Sequence, residues 1–400
     1  MNIVVDGFNI GLPQGTGIAT YGRGFMSASC ALGHRVELLL GCDDPTQEDG
    51  TAEWRANLRK VLDFLGGPLG LGVYPVDALL PGAPDLPPAE IIWNRPRLFR
   101  AAQGAFRRTG LFTAVTMPHV DIAHWTYPLP LYVPGARNIY TIHDVVPIKH
   151  PEMARNGAEY GRICQAVGRR ADHVLTVSES ARSDIIAHLG LDPDRVKNTY
   201  QVVPAARPDL VDAHSLLATH GLSREGYFLF YGAIEPKKNV LRLLTAYEQS
   251  GSETPLVIVG KAGWDCKAEV DRLTLLTAKG PRRVLWLDYL PRDDLLRLVA
   301  NAKAVLFPSL AEGFGLPVVE AMAYGRAVLT SWDGALAEVS GGAALLVDPT
   351  SIASIRDGII GLDGNAALRH RFEADGSRRA EFFSQAQYQT ILAALLRDLL

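Results

Sequence analysis

The sequence predicts an α/β protein made of two units, each built on its own parallel sheet with helices on both faces. Three observations carry this expectation. The chain has 400 residues, 48% of them hydrophobic and 21% charged, enough apolar material for two sizeable cores. Short apolar strand-like runs alternate with helical runs along most of its length, the order that produces parallel sheets. A strand, a glycine-containing loop and a helix start follow one another near the N-terminus and again around residue 310, so each half opens a helix N-terminus toward a ligand.

Composition narrows the function classes. A net charge of −3 and a pI near 6.4 give no electrostatic footprint for nucleic acid, which is not expected as a partner. Cysteines 30, 42, 164 and 266 are scattered without a C-x2-C pair or a histidine at ligand spacing. They read as reduced, mostly buried thiols rather than a zinc site or disulfide framework. The N-terminus, MNIVVDGFNI, enters a strand without a basic region and apolar stretch before it, and no run reaches spanning length. A cytoplasmic location is expected.

In chain order, residues 2–6 form a strand, and the four-glycine loop GFNIGLPQGTG leads into a helical run over 18–32. From Gly15 the order GTGIATYG does not fit G-x-G-x-x-G, and no Walker A lysine follows. On its own this loop can be a plain strand-to-helix connection. Residues 35–40 make the next strand, and prolines at 68, 75, 81, 84, 87, 88 and 96 break any long element up to about 111. Within that region RPRLFRAAQGAFRR (95–108) places Leu98, Ala101, Ala102, Ala105 and Phe106 near one helical face among five arginines. Such a segment can rest on an anionic membrane face, hold a phosphorylated acceptor, or pack on its own domain.

NIYTIHD delivers His143 and Asp144 at the carboxyl end of a strand, where open α/β sheets place ligand sites. A helix over about 152–170 and a strand lead to Ser178 and Ser180, either able to cap the helix through Leu189. Asp192-Pro193-Asp194 reads as a turn rather than a metal site. Residues 204–226 read as a linker, placing the boundary near 210 between units 1–210 and 211–380. In the second unit, Lys237 and Lys238 stand at a helix start, where cations oppose the dipole unless an anion lies between them.

PSLAEGFGLPVVEAMAYG (308–325) carries the most information. Gly313 and Gly315 let the backbone turn and approach a ligand, Pro317 suits a first helical turn, and Gly325 sits where a helix would end. Free N–H groups and roughly half a positive charge at such a helix start attract an anion. Glu312 and Glu320 flank it with acceptor-only carboxylates, so a ligand bearing hydroxyls and phosphate, such as a nucleotide sugar, is suited.

EGFGLPVVE, continued by AYGRAVLTS, resembles the E-x7-E motif of the retaining glycosyltransferases of family 4, which have the GT-B fold. QGTGIATYGRGF, TIHDVVPIKHPE and IEPKKN are similar to other motifs of that family, and the resemblance covers nearly the whole chain, weakest over 45–115. It implies two Rossmann-like domains facing across a cleft, 1–210 for the acceptor and 211–380 for a nucleotide-sugar donor, with the helix over 381–400 crossing back to the first. It implies that Glu312 faces the donor sugar, Glu320 holds the ribose hydroxyls, and the backbone of Phe314, Gly315 and Leu316 contacts sugar and diphosphate. Lys238, with Lys237, would serve the diphosphate, Gly15, Thr16 and Gly17 would lie over the phosphates, and His143 would contact the sugar or support the leaving group. An arginine often found after the strand glycine is replaced by Ala233.

The expected reaction is retaining transfer of a hexosyl unit, mannosyl or similar, from a nucleotide diphosphate sugar to a hydroxyl of a saccharide or lipid-linked saccharide. The expected setting is bacterial surface polysaccharide such as lipopolysaccharide, with peripheral contact at the inner membrane face. No metal and no other cofactor is expected. The alternatives are a GT-B-like epimerase or phosphorylase, against which the E-x7-E string argues, and a non-catalytic nucleotide-sugar-binding subunit. A dehydrogenase is weakened by the failed glycine spacing.

Overall fold

The structure, a computed structural model, describes residues 1–11, 17–42, 71–76, 87–278 and 283–399. Among the described residues its first half contributes β1 (Asn2–Asp6), β2 (Arg35–Leu40), β3 (Leu71–Gly72), β4 (Tyr74–Val76), β5 (Ile91–Asn94), β6 (Thr113–Thr116), β7 (Ile122–Trp125), β8 (Leu131–Tyr132), β9 (Arg137–Thr141), β10 (His173–Thr176) and β11 (Val196–Asn198). The second half contributes β12 (Phe228–Tyr231), β13 (Leu256–Val259), β14 (Val284–Leu287), β15 (Ala304–Phe307), β16 (Ala327–Ser331) and β17 (Leu345–Val347).

These strands form two main sheets, ordered β11-β10-β9-β7-β1-β2-β5-β4 and β14-β13-β12-β15-β16-β17, with a small sheet β3-β6-β8 beside the first. All pairings in the two main sheets are parallel except β4 with β5 at one edge. Near-continuous apolar strands are what burial on both faces demands. Val4 enters one core with Trp93, Ala123 and Tyr140, while Ile3 and Val5 enter another with Phe25, Ile139 and Leu175. The expected two-sheet α/β architecture is therefore present.

Strand order reverses between β1 and β7 in the first sheet and between β12 and β15 in the second. At such a switch point the following loops diverge to opposite faces and leave a crevice at the strands' carboxyl ends. The Asp6 carboxylate stitches the first one, accepting N–H bonds from Phe8 at 3.0 Å and from Thr126 just beyond β7. Burial pushes its pKa up to about 6 despite those bonds.

Several expectations are corrected or refined by packing. The stretch 204–226 is not a bare linker: it holds a helix, His214–Thr219, and buries Ala213 and Leu217 in the second half's core. Within the arginine-rich segment a helix runs over Leu98–Thr109, with Leu98, Phe99, Ala102 and Phe106 buried in its own half. Its apolar face is thus spent on the core. Only Cys164 and Cys266 are buried, whereas Cys30 is exposed and Cys42 half-buried, so the thiols are not mostly buried. Among the described residues no helix is long and apolar enough to cross a membrane.

The chain crosses between halves twice, at Tyr200–Val203 and at Phe382–Phe383, tied by the Val203 N–H donating to Phe383 O at 3.0 Å. The final helix, Gln385–Asp398, then packs on the first half's helix Gly17–Ala31. It places Tyr388, Leu392, Leu395 and Leu396 in the same core as Ile3 and Phe25.

Candidate active site

Beside the second switch point, glycines end β12 and β13. Gly232 follows β12 at φ 137°, and a Cβ on Gly260, which follows β13, would lie 1.9 Å from the Gly232 carbonyl oxygen. Two strand ends therefore approach backbone to backbone, leaving a floor free of side chains. The chain next makes a 3-10 turn, Pro236–Lys238, before Asn239 at φ 62° starts the helix Val240–Ser250. Both lysines thus precede the helix rather than sit in its first turn.

The carboxylate that meets Lys238 is Glu312. Lys238 Nζ donates to Glu312 Oε1 at 2.6 Å, with the two side chains 14% and 9% exposed, and the ammonium lies 5.0 Å over the Phe307 ring. Burial would raise the Glu312 pKa, but Lys238 and Lys237 outweigh it and hold it below the usual carboxylate value. Burial likewise opposes charge on Lys237, yet Glu312, Asp144 and Glu235 hold its ammonium well above the ordinary lysine value. A carboxylate and two cations share one dry corner, and an incoming diphosphate would compete with Glu312 for both lysines.

The loop carrying Glu312 is fixed from below. Asn239 Nδ2 donates to Pro308 O at 2.9 Å and Pro349 O at 2.7 Å, Leu310 N–H donates to Lys237 O at 2.7 Å, and Ser331 Oγ donates to Ser309 O at 2.6 Å. Gly315 at φ 95° then turns the chain into the helix Leu316–Ala323, with Pro317 in its first turn. Glu320 is buried there, in a bidentate pair with Arg292, whose Nη1 donates to Oε2 at 3.3 Å; Tyr231 OH donates to the same oxygen at 2.9 Å. Tyr231 and Arg292 are functional neighbours that sequence reasoning missed. Arg292 lies 28 residues from Glu320, and no local spacing announces the pair.

His143 comes from the first half. Its Nε2 bonds the Thr126 carbonyl at 2.9 Å. A carbonyl only accepts, so Nε2 carries the proton and Nδ1 is left as an acceptor. Burial lowers its pKa and keeps the ring neutral. The Tyr21 ring meets it edge-on at 5.0 Å; Tyr21 OH and His124 Nε2 each lie 2.9 Å from Thr141 Oγ1. Burial, with a smaller contribution from His143, pushes His124 down to about 3. Asp144 Oδ1 accepts the Val146 N–H at 3.0 Å and serves its own turn.

A cleft of about 1430 Å³ runs between the halves, lined by Gly17, Thr20 and Arg23 on one side and Gly232, Ala233, Lys261, Arg292 and Leu316 on the other. Glu312, Lys238 and His143 lie outside that lining; the first two are closed on one another by their ion pair. Phe314 is buried against Phe383, ring centroids 5.3 Å apart, so it can offer a ligand only its backbone. Gly17 opens the first helix, whereas Gly15 and Thr16 lie outside the described residues. Asp192 Oδ1 accepts the Asp194 N–H at 3.0 Å in a capped turn.

The family models described as "Glycosyltransferase Family 4" and "Glycosyl transferases group 1" match residues 15–207 and 218–379. The chain belongs to these glycosyltransferases. Among relatives of this glycosyltransferase, Escherichia coli O-antigen chain mannosyltransferase B is 36% identical over 219 residues, covering 53% of this chain and 56% of that protein. The chain thus spans about half the length of that relative. The MMP alpha-(1->4)-mannosyltransferase of Mycolicibacterium hassiacum is 28% identical over 404 residues, covering 92% of this chain and 91% of that one. A crystal structure of Anabaena HepE in complex with UDP and glucose superposes at a TM-score of 0.68, 16% identical, covering both chains fully. The glycosyltransferase fold is GT-B.

Proposed function

We propose that this glycosyltransferase moves a hexosyl unit, mannosyl or similar, from a nucleotide diphosphate sugar to a hydroxyl of a saccharide or lipid-linked saccharide. The proposal includes retention of anomeric configuration, no need for a metal, and a place in surface-polysaccharide assembly at the inner membrane face. The observation that carries it is the pair of ion-paired glutamates, Glu312 half-buried and Glu320 buried, at the two ends of one loop and helix start. One is matched to lysines at the meeting of the halves, the other to an arginine beside the cleft. The mannosyltransferase names of the relatives support the sugar.

In this reading the diphosphate takes the helix start at Leu316 and the two lysines, and Glu320 receives the ribose hydroxyls with Arg292 and Tyr231 fixing its carboxylate. Glu312, released from Lys238, favours positive charge at the anomeric carbon as its bond to the phosphate oxygen breaks. The lysines and free N–H groups stabilise the negative charge on the departing diphosphate. The acceptor oxygen bonds to the anomeric carbon on the same face, and its proton passes to the leaving phosphate. His143 Nδ1 accepts from a sugar hydroxyl. No step requires a divalent ion, because preformed cations take its place.

The test is thermal stabilisation by a panel of nucleotides and nucleotide sugars with EDTA present. A ligand at a hundred times its dissociation constant adds about 2.7 kcal/mol to folding. A shift confined to one base supports a metal-independent donor site; no shift with any of them overturns it.

A further inference from the structure

Three contacts of the second half reach the first half at a single place, the start of the helix Glu179–Leu189 and the His143 turn. Ser178 is fully buried; its Oγ accepts the Ala181 N–H at 3.0 Å, capping that helix, and donates to Gly313 O at 2.7 Å, in the loop beside Glu312. The Glu338 carboxylate accepts the N–H groups of Glu179 and Ser180, each at 2.8 Å. These are first-turn donors that have no partner within their own helix, and a carboxylate there also meets the positive end of the dipole. A Cβ on Gly313 would lie 2.4 Å from His143 O, so the Glu312 loop and the His143 turn touch backbone to backbone.

Glu338 is itself held in place. Arg379 Nη2 donates to Glu338 O and Nε to Val339 O, both at 2.9 Å, and the same guanidinium lies 4.8 Å over Phe382 and 5.0 Å over Phe383. Those two rings meet Tyr200 at 5.3 and 5.6 Å. Both chain crossings between the halves therefore brace the residue that grips the first half's helix.

We propose that Ser178 and Glu338 are positioning residues that latch the two halves together, holding the Glu312 loop against the His143 turn so that the two sides of the reaction site meet. The inference rests on the functional reading above for its catalytic consequence, and on the contacts between the halves alone for the latch. The serine is suited because one hydroxyl both accepts and donates. Aspartate would cap the helix as well but has no proton to give Gly313 O.

Amide hydrogen exchange on the full chain tests the latch without any assumption about activity. Glu338→Ala should raise exchange at the Glu179 and Ser180 amides about 10-fold, and Glu338→Gln by less, because its amide keeps one acceptor oxygen. Unchanged exchange in both variants overturns the latch. Positioning is tested by turnover against donor binding. Glu338→Ala and Ser178→Asp should each lower kcat at least 10-fold, with the Kd for the nucleotide diphosphate within about 3-fold of wild type. Ser178→Asp should also leave exchange in its own helix protected. Full kcat, or a Kd that weakens in step with kcat, overturns the positioning role. If wild type binds no nucleotide, the functional reading falls while the exchange result still decides the latch.

Discussion

The Glu312 and Glu320 ends of the site solve the same problem, a carboxylate side chain largely withdrawn from water, in different ways. Glu320 is satisfied wholly within the second half, by Arg292 and Tyr231. Glu312 is paired with Lys238, but its loop also touches the first half through Gly313 at the His143 turn and at Ser178. One end is complete in a single domain, and the other only when two domains meet. Binding that must precede closure suits the first end; chemistry that must wait for closure suits the second.

The sharpest way to break this comparison is Glu312→Ala. It should lower kcat about 10²-fold or more without weakening nucleotide affinity, as expected where charge develops in the transition state and the carboxylate competes with the diphosphate for the lysines. Equal losses in both would erase the distinction. Next, Glu320→Ala should weaken nucleotide affinity about 10- to 100-fold by calorimetry, the loss of hydrogen bonds to a charged group. An unchanged Kd would remove Glu320 from the ribose site.

Acid should act on the first half. His124 titrates near 6.5 unfolded but about 3 folded, so its contribution to stability is full above pH 6.5 and falls as pH drops toward 3. His143, also lowered, acts in the same sense below 6.5. Asp6 opposes them, since its raised folded pKa favours the folded state as pH falls below about 6. The unfolding midpoint of wild type should therefore drop more between pH 6.5 and 4.5 than that of His124→Phe; parallel curves would refute this. The smallest effect is expected at the exposed Arg107–Glu159 pair, where Arg107→Ala should cost under about 1 kcal/mol by denaturant titration.

What could be read from sequence follows the same divide. The Glu312-to-Glu320 stretch is local: its glycines, proline and carboxylates act on a loop and helix they themselves form. Lys238 was readable because a cation ahead of a helix start calls for an anion. Arg292, Tyr231 and Glu338 were not, because their roles exist only once the sheet has brought distant segments together. Ser178 was seen only as a cap, although its hydroxyl also reaches 135 residues along the chain. In the proline-broken region, β5 and the helix Leu98–Thr109 owe their order to pairing with β2 and to burial of Phe99 and Phe106, neither of which a period reveals.

The final helix has a practical consequence for dissecting the molecule. Because Tyr388, Leu392, Leu395 and Leu396 complete the core around Ile3 and Phe25, the first half is not a contiguous piece of chain. A fragment ended near residue 207 would expose that apolar surface, whereas the second half's sheet, β12 to β17, comes from one uninterrupted stretch of chain whose core also takes in Ala213, Leu217 and Phe383. Splitting the molecule into folded parts calls for supplying 385–398 as a separate peptide, or for a circular permutation that joins it ahead of Met1.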